Sequence, residues 1–200
     1  MTKRLFLAIN LPNEIKSQIA ELVLNLHKAN KNKPIKWVEE DNFHLTLHFL
    51  GDVPEEKIPA INQALEPIVK TFPALNFSLS SSISAFPDLN NPKVIFLDMI
   101  ELNDDKTIKL HKEIGEALKK LEFGIDHRPF KLHLTLGRIK FKTSLQIPNL
   151  IIPAFALQAS AGRHNSEFRI QSIDLMESEL TPNGPIYSIT HKYLLKKANG

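Results

Sequence analysis

The tetrapeptide HLTL occurs twice, at 44–47 and 133–136, each time inside an apolar run: "FHLTLHFL" over 43–50 and "KLHLTLGRI" over 131–139. Histidine changes protonation near neutral pH, with an unperturbed pKa of about 6.5. A hydroxyl two residues along can donate to an anionic oxygen. On a strand alternate side chains share a face. In the first copy Phe43, Leu45, Leu47 and Phe49 point one way, and His44, Thr46, His48 and Leu50 the other. In the second, Leu132, Leu134 and Leu136 oppose His133 and Thr135. Each strand thus packs an apolar face and presents a His–Thr pair on the other. One such pair is ordinary polar-out alternation. Two pairs, 89 residues apart in a chain of 200, can line a cleft between two lobes. Two imidazoles and two hydroxyls there suit general acid–base chemistry on a phosphate.

A metal site fits this spacing poorly. Four residues of strand place His44 and His48 roughly 13 Å apart, too far to share one Zn²⁺ at about 2 Å from each. The motif holds no carboxylate to complete a site. The chain has no cysteine, which excludes disulfides, thiolate metal sites and cysteine nucleophiles. No metal and no cofactor are expected.

The elements that must position the two motifs follow from periodicity and turn residues. A strand is expected at "RLFLAIN", then a helix from about Pro12 to Lys28 with the stripe Ile15, Ile19, Leu22, Leu26. "IKWV" and 43–50 read as strands, and 54–70 as a second helix interrupted by Pro59 and Pro67. Strands at 74–86 and 93–99 flank the turn-rich "PDLNNP". A third helix from about Asp104 to Leu121 carries the stripe Ile108, His111, Ile114, Leu118, Leu121, with Asn103 or Asp104 as N-cap. The second motif strand spans 131–141, and "AFALQAS", "FRIQSIDLMES" and "PIYSITHKYLL" read as later strands. Mixed helices and strands without a linker predict an α+β fold over 1–200. It is a single domain of two pseudo-symmetric lobes with antiparallel or mixed sheets flanked by helices. One His-x-Thr motif sits in each lobe, and the active-site cleft lies between them.

Composition is that of a globular protein, 42% hydrophobic and 24% charged. The apolar run Leu5–Ile9 is too short for a signal peptide, and nothing approaches the roughly 20 apolar residues of a membrane span. A cytoplasmic, monomeric protein is expected. The net charge of +3 and pI near 9.0 permit an anionic partner such as RNA without requiring one.

The chain resembles the 2H phosphoesterase superfamily, named for two His-x-Thr-x motifs. More narrowly it resembles the bacterial and archaeal RNA 2′,3′-cyclic phosphodiesterases, also called 2′-5′ RNA ligases. The likeness rests on "RLFLAINLP", "KWVEEDNFHLTLHFLGDV", "FPDLNNPKVIFLDM", "HRPFKLHLTLGR" and "LMESELTPNGPIYSI". Two positions depart from the family's pattern: Leu132 stands where proline is frequent, and His48 where lysine or arginine is frequent. The resemblance implies metal-independent hydrolysis of RNA 2′,3′-cyclic phosphate ends to 2′-phosphomonoesters. It implies His44 as proton donor and His133 as proton acceptor, the roles exchanging in reversible 2′-5′ ligation. Thr46 and Thr135 would bind the non-bridging phosphate oxygens.

Phe49 and Arg138 occupy matching places, five residues after His44 and His133. Strict alternation aims both away from the cleft, but a bulge at Gly137, and its counterpart before Gly51, would turn them inward. There they would stack on a terminal base or pair with phosphate. His48 shares the face of His44 and is a further candidate, and Arg128 either attracts RNA or supports its loop. His27, His111, His164 and His191 read as surface or helix-face residues, and Trp37 and Tyr187 as packing. Two other functions remain open from sequence: a phosphodiesterase for another 2′,3′-cyclic or 2′-5′-linked nucleotide, and a non-catalytic module that grips RNA ends.

Overall fold

The run Leu5–Ile9 is buried along its whole length because β1 (Thr2–Asn10) lies inside a sheet with apolar contacts on both faces. Leu5, Leu7 and Ile9 join the main core, while Phe6 and Ala8 form a small separate cluster with Met176. The computed structural model describes residues 1–126, 128–148, 167–182 and 184–197. After β1 come α1 (Asn13–Ala29), β2 (Ile35–Trp37), β3 (His44–Pro54), α2 (Ile58–Val69), β4 (Leu75–Phe86) and β5 (Val94–Glu101). They are followed by α3 (Lys106–Lys120), β6 (His133–Ile139), β7 (Glu167–Ile170), β8 (Ser172–Thr181) and β9 (Gly184–Leu194).

The strands form two sheets, ordered β3-β1-β8-β9 and β2-β6-β5-β4-β7. Every strand pair described is antiparallel, so the fold is α+β with antiparallel rather than mixed sheets. The first motif strand, β3, is an edge of one sheet, and the second, β6, lies within the other. The helices contribute their apolar stripes to one core: Ile15, Ile19 and Leu26 from α1, Ile61 and Leu65 from α2, Leu110, Ile114 and Leu118 from α3. α3 packs against β3 and α2 against β9. Among the described residues no helix is long and apolar enough to cross a membrane.

Three sequence expectations are corrected. The α3 stripe is Thr107, Leu110, Ile114 and Leu118, and Ile108 is exposed. Neither Asn103 nor Asp104 is the helix cap. Asp105 holds that position in a left-handed conformation without a side-chain bond, and the Glu101 carboxylate accepts from the Thr107 N–H at 2.8 Å instead. The Asn103 side chain accepts from the Asn76 N–H. "FRIQSIDLMES" is two strands, because the chain leaves one sheet at Ile170 and enters the other at Ser172. The expected helix over 54–70 opens with a 3₁₀ turn at Glu55–Lys57, and α2 keeps Pro67 near its end, where few backbone bonds are lost. The expected strand "AFALQAS" and the residues His127 and His164 lie outside the described residues.

Candidate active site

The two motif strands are built alike. In both, histidine and threonine are half-buried on one face while the two leucines are buried on the other. Just past its motif each strand gains one extra residue against its neighbour. Ala8 and Leu7 of β1 face Thr46 and His48, leaving Leu47 as the extra residue. Phe96 and Ile95 of β5 face Thr135 and Gly137, leaving Leu136. Each of these matched bulges falls at the residue three after the histidine and reverses the alternation; β3 has a second one farther on, at Leu50 before Gly51. His48 and Gly137 therefore join the buried side, and Phe49 and Arg138 emerge on the exposed side.

That reversal decides the flanking candidates. A cavity of about 650 Å³ is lined by His44, Thr46, Phe49, Thr135 and Arg138. His133 is absent from that lining, but it shares the face of Thr135, two residues away on β6. Its proximity, with that of Lys16 and Arg138, adds to the depression of the His44 pKa. His48 does not reach the cleft. It is 5% exposed, its Nε2–H donates to the His111 carbonyl at 2.8 Å, and its ring stacks on that of His111 at 4.0 Å. His111, expected as a surface or helix-face residue, is held between His48 and Phe130, which stacks on it at 4.1 Å. Arg128 supports its loop: Nε donates to both Asp126 carboxylate oxygens at 3.0 Å. His191 meets Glu66 at 3.1 Å, and His27 lies near Trp37.

The two imidazoles are held in the same way. His44 Nδ1 lies 2.7 Å from the Asn42 carbonyl, and His133 Nδ1 lies 2.7 Å from the Lys131 carbonyl. A carbonyl only accepts, so each Nδ1 carries the proton and each neutral ring leaves Nε2 with its lone pair. The Thr46 hydroxyl stands 3.1 Å from His44 Nε2 and can donate to it. Aromatic rings pack around each histidine: Phe6 at 5.0 Å and Tyr187 at 5.2 Å from His44, Phe86 at 5.1 Å and Phe96 at 5.2 Å from His133. Burial among these rings pushes His44 down to about 4 and also lowers His133, against the backbone bonds that favour their charged forms. Arg138 lowers both further. Both shifts favour the neutral imidazole at pH 7.

Sequence reading missed the partners around the histidines. The Asn42 and Lys131 carbonyls leave no mark in a sequence, since every residue offers one. Tyr187 reads as a packing residue, and it packs against His44 together with Phe6 of β1. Asp98, opposite His133 across the β5–β6 ladder, pairs with Lys131 at 3.0 Å and accepts from the Ser84 hydroxyl at 2.7 Å. Among the described residues no three His, Asp or Glu side chains are grouped to hold a metal ion.

The family described as LigT like Phosphoesterase matches residues 9–96 and 100–187, two stretches that each contain one His-x-Thr motif. The chain is 35% identical over 193 residues to an RNA 2′,3′-cyclic phosphodiesterase of Methanocaldococcus jannaschii, covering 95% of this chain and 99% of that protein. It is 31% identical over 192 residues to the protein of the same name from Thermotoga maritima, covering 94% of each. Escherichia coli LigT in its apo form superimposes with a TM-score of 0.74 at 25% identity, covering 98% of each chain.

Proposed function

The chain belongs to the LigT-like phosphoesterase family, and on that footing we propose that it hydrolyses RNA 2′,3′-cyclic phosphate ends to 2′-phosphomonoesters. The observation that carries this reading is the matched pair of imidazoles, each with Nδ1 fixed on the carbonyl two residues before it and Nε2 left for proton transfer. The curated relatives carry the name of that activity.

In the proposed step water attacks phosphorus in line with the P–O3′ bond. His133 Nε2 takes the water proton as the P–O bond forms. His44 gives a proton from Nε2 to the departing 3′-oxygen, leaving a 3′-hydroxyl and a 2′-phosphate. The Thr46 and Thr135 hydroxyls donate to the non-bridging oxygens, where charge builds in the transition state. Arg138 pairs with phosphate and Phe49 stacks on the terminal base. A 5′-hydroxyl in place of water would give a 2′-5′ linkage, and the reverse of that step exchanges the two histidine roles.

The resting pKa order matters to this assignment. His44, the proposed donor, is pushed down to about 4, mainly by burial. It gains its proton as the anionic diester enters, because a negative charge within a few ångströms in a poorly solvated site offsets burial. No metal is assigned a part in the step: two imidazoles supply both proton transfers. Product analysis on adenosine 2′,3′-cyclic phosphate and on other cyclic and 2′-5′-linked nucleotides tests the reading. The expected product is the 2′-monophosphate, with turnover unchanged in EDTA. A 3′-phosphate product, or loss of turnover with EDTA, would sink it.

A further inference from the structure

The cavity extends well beyond the catalytic end. It follows β3 and β6 from His44 and Thr135 past Phe49 and Arg138 to Lys36 and Trp37 on β2 and to the β8–β9 hairpin. The five residue steps from His133 to Arg138 span roughly 16 Å of strand, more than the base, sugar and cyclic phosphate of one nucleotide occupy.

Two features of this outer end point to its occupant. The first is a run of rings from His44 through Phe6 to Phe49. Phe6 and Tyr187 pack side by side against His44 at 5.0 and 5.2 Å, and Phe49 lies 6.1 Å beyond Phe6. The run ends in the open, with Phe49 66% exposed and Leu180 69% exposed. In the hairpin register Leu180 faces Pro185 and Ser178 faces Tyr187, so Leu180 stands on the same face as Tyr187. The second feature is charge. Arg4, Lys36 and Arg138 line the cavity with a single carboxylate, Glu39. Flat apolar surface beside cationic side chains is what a single-stranded nucleotide recognises. The far end is bounded: Lys36 reaches from β2 to the hairpin tip, where a Cβ on Gly184 would meet its Nζ at 3.1 Å.

Resting on the proposed phosphodiesterase reading, we infer that this outer end is a subsite for one further nucleotide, the one preceding the cyclic-phosphate terminus. Its base lies on Leu180 and the outer edge of Phe49, and its connecting phosphodiester faces Arg4. Lys36 ends the subsite after that nucleotide.

Steady-state kinetics on adenosine 2′,3′-cyclic phosphate and on the adenosine dinucleotide and trinucleotide with the same cyclic end test this. kcat/KM should rise by about tenfold from mononucleotide to dinucleotide, the worth of one stacked base. It should rise no further with the trinucleotide. Leu180→Ser and Arg4→Gln, both at exposed positions, should each bring the dinucleotide-to-mononucleotide ratio down severalfold. Equal kcat/KM for the two shorter substrates, or a ratio unmoved in both variants, overturns the subsite. A further tenfold rise with the trinucleotide overturns its single-nucleotide limit. Calorimetric titration with adenosine 2′-monophosphate and the dinucleotide 2′-phosphate reads the subsite without turnover. Equal affinities overturn it, whereas tighter dinucleotide binding by a protein that cleaves none of the substrates upholds the subsite and rejects the proposed activity.

Discussion

His44 and His133 are half-buried with lowered pKa values, and that sets the pH dependence. A step that needs one imidazole charged and the other neutral is fastest between their two pKa values. Burial holds His44 at about 4 and His133 below 6.5 in the free protein. kcat/KM, which reports the free protein, should therefore peak below pH 6.5 and fall above it. kcat reports the bound state, where the substrate's charge raises His44, so its profile should lie to the alkaline side. A kcat/KM profile still rising through about pH 8 contradicts this. Replacing Thr46 or Thr135 by valine keeps the strand shape and removes one donor to the phosphate, for an expected loss of about 10²-fold in kcat. The repeat of HLTL made the four side chains legible in the sequence. Their orientation was not, because it depends on the Asn42 and Lys131 carbonyls and on rings brought in from β1, β4, β5 and β9.

At the scale of elements the two bulges do the positioning. Gly137 signalled one of them, but its need for glycine comes from packing: a Cβ there would lie 2.9 Å from Trp37 Cε3. Gly137→Ala should push Trp37 off the strand, cost about 1–3 kcal/mol by overpacking, and lower activity by displacing Arg138. Urea unfolding and turnover of the same variant check both. The β3 bulge at Leu47 carries no glycine, unlike the later one beside Gly51, so strict alternation puts His48 in the cleft. Its true place depends on α3, where the His111 carbonyl accepts its proton and Gly115 leaves room for its ring, a Cβ there meeting Cε1 at 3.2 Å. Burial lowers His48, and it holds His111 near 4. Both pKa values lie below the unfolded value of about 6.5, so the unfolded chain binds more protons between those limits. Stability should be full above about pH 6.5 and fall as pH drops toward 4. His111→Phe keeps a stacking ring and should make that fall shallower, as read from unfolding midpoints at pH 7 and pH 5.

At the scale of the whole molecule, two antiparallel sheets each supply one motif strand to a shared cleft. The 89-residue spacing of the histidines suggests two lobes, and the family matches two stretches with one motif each, but each stretch contributes strands to both sheets. What spacing could not convey is how strands are shared. The C-terminal third divides between the sheets, β7 joining one and β8 with β9 the other, and the β8–β9 hairpin walls the cavity. The net charge of +3 is small, so electrostatic attraction should be confined to the few phosphates in the cleft. For a dinucleotide with two phosphates the slope of log(kcat/KM) against log[salt] should be about −1.4, at roughly −0.7 per contact on a single strand. A much steeper slope would mean an extended RNA track outside the cavity. In the proposed step His44 and His133 together open a 2′,3′-cyclic phosphate. That step is tested most directly by following adenosine 2′,3′-cyclic phosphate with the wild-type protein, His44→Ala and His133→Ala. The expected product is the 2′-monophosphate, with a loss of more than about 10²-fold in each variant; near wild-type turnover in both variants, or a 3′-monophosphate product, would rule the His44–His133 step out.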